Sequence, residues 1–173
     1  QPIERRQYDR SNVASVTLGA PEIAFIPDQL SSTQPGSTVV YPHILQVPAS
    51  LAGGTLDFAS SSSRSLGWQV WYDADGNGTL SGGDTRWTNG TALPSTGDLQ
   101  FFVQAQVPNT AHDGWRDITV TTASVTLGGT TLSGQVTDIT NVSSLQAGEL
   151  TAGKYMAIDR DCDGSLADES ATD

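Results

Sequence analysis

The feature that most restricts the fold of this chain is a period of two. Leu99, Phe101, Val103, Ala105 and Val107 alternate with Asp98, Gln100, Phe102, Gln104 and Gln106, and Pro108 closes the run. Successive side chains of a strand point to opposite faces, whereas one helical face would need apolar residues three or four apart. The same alternation recurs at 13–18, 37–47 and 115–125, and strand-like runs are found at 22–26, 54–58, 66–72, 131–140 and 154–158. Gly, Pro and Asn turns such as Pro35-Gly36 and Asn89-Gly90 separate them, with 31–36 read as a turn and 59–65 as a polar loop. No segment has a helical period. Short strands at regular spacing predict an all-β sandwich.

Set into this pattern is Asp73-Ala74-Asp75-Gly76-Asn77-Gly78-Thr79-Leu80-Ser81-Gly82-Gly83-Asp84. Its oxygens have the spacing of a calcium loop. Asp73, Asp75, Asn77, Ser81 and Asp84 fall at positions 1, 3, 5, 9 and 12, Thr79 offers a backbone carbonyl at position 7, and Gly78 stands at the sharp turn of position 6. A hard cation wants six to eight oxygens at short range, and only a tightly curled segment supplies them. Asp84 replaces the usual Glu, so closure is by a shorter carboxylate. A helix–loop–helix sensor is excluded by the flanks: Trp68-Gln69-Val70-Trp71-Tyr72 enters as a strand, and Thr85-Arg86-Trp87 is too short for a helix. The expectation is a Ca2+ clamp on a β-hairpin. The alternative is a solvated Asp/Gly turn.

A second acidic run, Asp159-Arg160-Asp161-Cys162-Asp163-Gly164-Ser165-Leu166, resembles the first, with Asp159, Asp161 and Asp163 at positions 1, 3 and 5 and Gly164 at position 6. Asp159, Asp161, Asp163 and Ser165 form the weaker candidate Ca2+ site, with Glu169 as closing ligand because Ser170 at position 12 is a poor one. Cys162 is the only cysteine of the chain, so a disulfide through it would be intermolecular.

Composition narrows the function classes. The 173 residues carry 8 basic and 19 acidic side chains, a net charge of -11, which is the opposite of the basic stripe that nucleic acid requires. No run of about 18 apolar residues is present to span a membrane as a helix. The chain opens on Gln1-Pro2, as a processed terminus would. Catalysis has little support: His43 and His112 are the only imidazoles, and no nucleophile elbow, zinc helix or phosphate loop is found. Trp71 and Trp87 offer a second reading, as stacking groups of a carbohydrate-binding module. The sequence also repeats itself: Ala14-Ser15-Val16-Thr17-Leu18-Gly19 is identical to Ala123-Ser124-Val125-Thr126-Leu127-Gly128.

Three blocks taken together resemble a known family. They are Pro35-Gly36-Ser37-Thr38-Val39-Val40-Tyr41, then Gly67-Trp68-Gln69-Val70 running into the 73–84 loop, then Val103-Gln104-Ala105-Gln106-Val107-Pro108. In order and spacing they are similar to the immunoglobulin-like conserved repeats of large bacterial surface proteins, of the cell-wall or S-layer type. The resemblance covers about residues 20–126. It implies an immunoglobulin-like β-sandwich, secreted to the cell surface, with structural or adhesive duties and no enzymatic activity. The chain then divides into an N-terminal arm (1–19), the sandwich with its calcium loop (20–126) and a C-terminal β extension (127–173), the two ends being extended strand arms. The partners expected are copies of itself, joined by strand addition into a filament or surface layer, or adjacent domains of a larger surface protein. Residues 13–26 are the first donor candidate and 131–140 the next.

Overall fold

The computed structural model describes residues 22–143. Ten strands form two five-stranded sheets: β1 (Ala24–Ile26), β2 (Gln29–Thr33), β3 (Thr38–Val47), β4 (Thr55–Ser62), β5 (Trp68–Tyr72), β6 (Thr85–Arg86), β7 (Thr91–Ala92), β8 (Gly97–Gln106), β9 (Arg116–Leu127) and β10 (Thr130–Val142). The sheet orders are β1-β3-β8-β5-β6 and β2-β10-β9-β4-β7. Strands one, three, eight and five reproduce the ABED sheet of an immunoglobulin domain, and four, nine and ten its CFG sheet. The first strand is split between the layers, with β1 antiparallel to β3 and β2 parallel to β10. The fold is an immunoglobulin-like β-sandwich.

The alternation of β8 explains its place at the centre of the first sheet. Leu99, Phe101, Val103 and Ala105 point into the core with Tyr41 and Leu45 of β3, and the second sheet answers with Leu56, Phe58, Ala123, Val125 and Val136. At about 25 cal/mol per Å2 of apolar surface removed from water, this layer is the main stabilising term.

Five expectations need correction. The boundary at 126 falls inside the β9–β10 hairpin, so β10 belongs to the sandwich rather than to a C-terminal extension. Consequently 131–140 cannot be a donated strand, because it is the central partner of β9 and β2. Of the segment 13–26, Ala24–Ile26 is already paired within the chain and Ile23 is buried in the core, while 13–21 lies outside the described residues. The supposed turn at 31–36 begins as β2, and the supposed loop at 59–65 begins as the end of β4. Both are Ser-rich and weak in strand propensity, but long neighbours impose the pairing: β10 on β2, and β9 on β4.

The second sheet also buries polar groups. Asp117, Thr119, Thr121, Asp138 and Thr140 point inward with His43, while Ile118 is partly exposed outside. Strand parity dictates this. Once Val125 and Val136 face the core, every second residue along β9 and β10 must do so as well. Partners compensate the burial. Asp117 Oδ1 accepts from Ser62 Oγ (2.7 Å), Ser63 Oγ (3.0 Å) and the Arg64 amide (2.9 Å), and its Oδ2 accepts from Thr119 Oγ1 (2.6 Å). Tyr41 donates its hydroxyl to the Ile139 carbonyl at 2.8 Å, tying β3 to β10 across the core.

Candidate metal centre

The 73–84 loop joins β5 to its short return strand β6. Trp71 pairs with Arg86 and Tyr72 with Thr85, and the Trp87 amide donates to the Val70 carbonyl at 2.8 Å. The loop is therefore anchored at both ends on one sheet edge. Gly76 and Gly78 take φ of +71° and +74°, the left-handed region that a side chain would disfavour.

Inside the loop the carboxylates converge. Single oxygens of Asp73, Asp75 and Asp84 all lie within 4.8 Å of one another. Asp73, only 7% exposed, accepts from the amides of Gly76 (2.8 Å) and Asn77 (3.2 Å) on Oδ1 and of Gly78 (2.9 Å) on Oδ2. Those bonds set the curl. Asp84 closes it from the far end, accepting the Ser81 amide at 2.6 Å and the Ala74 amide at 3.2 Å. Asp75 Oδ2 accepts from Ser81 Oγ (3.0 Å) and from Asn77 Nδ2 (2.8 Å). Gly83 is constrained by the same carboxylate, since a Cβ there would lie 2.4 Å from Asp75 Oδ2.

Three carboxylates this close repel by about 1 kcal/mol per pair in water and several times more where solvent is excluded. Backbone amides offset part of that. A divalent cation among them would offset the rest, and the neighbouring oxygens of Asn77, Ser81 and the Thr79 carbonyl suit a hard ion. Asn77 now turns its amide nitrogen to Asp75 and Ser81 and its oxygen to Thr79, so ligation by Asn77 calls for a rotation of that amide. Of the six residues expected at this site, Asp73, Asp75 and Asp84 form the acidic group, with Asn77 and Ser81 hydrogen-bonded to it and the Thr79 side chain bonded to Asn77.

The loop tip and the outer face of the first sheet also border a common space. A shallow cavity of about 310 Å3 is lined by Val40, Pro42 and Phe102 from the sheet and by Gly78, Thr79 and Leu80 from the loop. Phe102 points away from the main core yet is 1% exposed. It pairs across the strands with Trp71. Nothing in the oxygen spacing hinted at this shared space; the outward parity of Phe102 and Trp71 was the available signal.

The remaining candidates are placed apart. Trp87 faces inward, against Phe101 (5.4 Å between ring centres) and Tyr72 (6.3 Å), with its indole N–H donated to the Leu56 carbonyl at 3.1 Å. Trp71 lies on the other side of its sheet, so the two do not form one stacking platform. A groove of about 360 Å3 between β4 and β5 is lined by Trp68, Arg86 and Trp87 among others. His43 is fully buried. Its Nδ1 donates to the Pro27 carbonyl (2.9 Å) and its Nε2 meets Asp138 Oδ2 (3.0 Å), a pair that no substrate reaches. His112 is exposed and donates Nδ1 to the Asp113 carbonyl. The second acidic run with Asp159, Asp161, Asp163, Ser165 and Glu169, and Cys162, lie outside the described residues, as does the 154–158 run.

No protein-family model matches the chain, and no curated protein matches it. Solved structures similar to it include a family 123 glycoside hydrolase from Clostridium perfringens, 12% identical at a TM-score of 0.40 over 68% of this chain and 22% of that one. The PapD-like domain 7 of human CEP192 is 12% identical at a TM-score of 0.37, over 78% of this chain and 92% of that one. CfaE, the adhesive subunit of CFA/I fimbria of enterotoxigenic Escherichia coli, is 13% identical at 0.40, over 71% and 49%. Likeness at this level identifies neither a family nor an activity.

Proposed function

We propose that this chain is an extracellular structural module of a cell surface: a β-sandwich stiffened by calcium that associates with its own copies, or with adjacent domains of a larger surface protein, by strand addition. The observation carrying this reading is the meeting of Asp73, Asp75 and Asp84 in a loop whose two ends are held by paired strands and whose tip borders the same cavity as Phe102. A cation bound there stiffens the hairpin at the sheet edge and moves no helix. Its effect falls on stability. A net charge of -11 suits a medium rich in cations.

Ligand bound only by the folded chain stabilises it by RT ln(1 + [L]/Kd), about 2.7 kcal/mol at a hundred times Kd. Calorimetric melting in millimolar Ca2+ is expected to give a midpoint several degrees above that in chelator. Asp73→Asn abolishes the difference and Gly83→Ala, which displaces the Asp75 carboxylate, reduces it. Equal midpoints with and without Ca2+ overturn the calcium reading. Trp71 fluorescence is expected to change on addition of Ca2+ because its partner Phe102 borders the cavity that the loop tip lines.

A further inference from the structure

Most edges of the sandwich are blocked. On β3, β1 covers Ile44–Gln46, Pro42 has no amide hydrogen, and the Pro42 carbonyl accepts from the Gln29 side chain. On β4, β7 covers Thr55 and Leu56. Beyond them the Asn89 side chain imitates a strand, accepting the Phe58 amide and donating to the Phe58 carbonyl, both at 2.9 Å. On β5, β6 and the Trp87 amide occupy the edge. β10 is different. It is 13 residues long, and β2 covers only Asp138–Val142. The Thr137 amide donates to Asp28 Oδ1 on the side away from β9. Amides alternate along a strand, so those of Thr131, Ser133 and Gln135 point to that same side. Among the described residues no strand pairs there, and the three side chains are exposed. This stretch carries neither a charge nor a proline, the usual means of blunting an edge.

The repeat in the sequence says what fits. Ala123–Leu127 pairs with Thr130–Gly134 on the other side of β10. Its outward hydroxyls form a ladder, Ser124 to Ser133 and Thr126 to Thr131, each at 2.8 Å, and Val125 stands opposite Leu132. Ala14-Ser15-Val16-Thr17-Leu18 has the same residues in the same order.

We infer that residues 13–18 of a neighbouring copy add antiparallel to the open edge of β10, with Ala14 opposite Gly134, Val16 opposite Leu132 and Leu18 opposite Thr130. The inference rests on the self-assembly reading and specifies its acceptor. β10 is then flanked by two copies of one strand. Ser15 and Thr17 continue the hydroxyl ladder to Ser133 and Thr131, and Val16 covers the half-buried Leu132. Ala14, with only a methyl group, comes opposite the crowded place where a Cβ on Gly134 would lie 2.9 Å from the Phe25 amide nitrogen. Backbone pairing supplies the affinity and the alternation fixes the register.

The test uses the full chain with Cys162→Ser. Ser15→Cys and Ser133→Cys together, oxidised after concentration in millimolar Ca2+, are expected to give a ladder of covalent oligomers on a non-reducing gel, where each single cysteine gives at most dimers. Ser133→Pro removes one edge amide and is expected to cut oligomer at least tenfold by light scattering while the circular dichroism stays unchanged. Should that variant fail to fold, Thr131→Lys at the same edge is expected to do the same. Oligomers that form without cross-linking and ignore both substitutions overturn the edge and leave self-assembly standing. A cross-linked monomer means that the segment closes its own edge, which overturns the neighbouring copy as donor. A chain that stays monomeric and uncross-linked at high concentration overturns self-assembly itself.

Discussion

Asp117 shows how one residue determines the course of the chain around it. Four donors from two elements converge on its carboxylate, three of them from Ser62, Ser63 and Arg64 at the end of β4. The Arg64 guanidinium then lies over Trp115, 5.6 Å from the ring centre, and donates to the Arg116 carbonyl. Asp117→Ala would leave the buried Thr119 hydroxyl and the half-buried Ser62 hydroxyl without this acceptor, each costing about 1–3 kcal/mol. The expected loss is about 3 kcal/mol or more, read from the urea midpoint at unchanged slope. Asp117→Asn keeps an acceptor and is expected to lose less. The alternation of 115–125 placed Asp117 on a strand face opposite Ile118, but it gave no sign of this role, because parity alone does not say which of the two faces is buried.

Among the elements, legibility tracked side-chain chemistry. β8 and β3 were readable because each carries several large apolar residues at a period of two. β2 and the second half of β4 were not, because Ser and Thr there say nothing about pairing and their strand character is imposed by β10 and β9. The hairpin was legible from its flanks: a strand of five residues entering and no room for a helix leaving. The convergence of Asp73, Asp75 and Asp84 could be read from their spacing. The cavity it shares with the sheet face could not, since that depends on the direction in which β5 and β8 present Trp71 and Phe102. The Asn89-Gly90 turn signal was legible too, but Asn89 as a plug for the β4 edge required the structure.

For the molecule as a whole, the two sheets are joined by polar as well as apolar contacts, and the bond from Tyr41 to β10 makes stability depend on alkali. Burial raises the Tyr41 pKa above the ordinary 10.0, with the Thr140 hydroxyl opposing in part. A folded value above the unfolded one means that this contribution is complete below pH 10 and is lost as pH rises through the folded value. The melting midpoint is expected to fall above pH 10, and Tyr41→Phe to flatten that fall while lowering the midpoint at neutral pH. The split first strand has a mechanical consequence. β2 and β10 run parallel, Gln29 beside Asp138 through Thr33 beside Val142. Tension drawing Glu22 and Ser143 apart pulls β2 backward from its start and β10 forward from its end. Their shared hydrogen bonds are then loaded in shear, all together, instead of opening one at a time like a zipper. A module in series with others on a cell surface would resist stretching at this seam. Ser31→Pro, which interrupts it, is expected to lower the rupture force in single-molecule pulling.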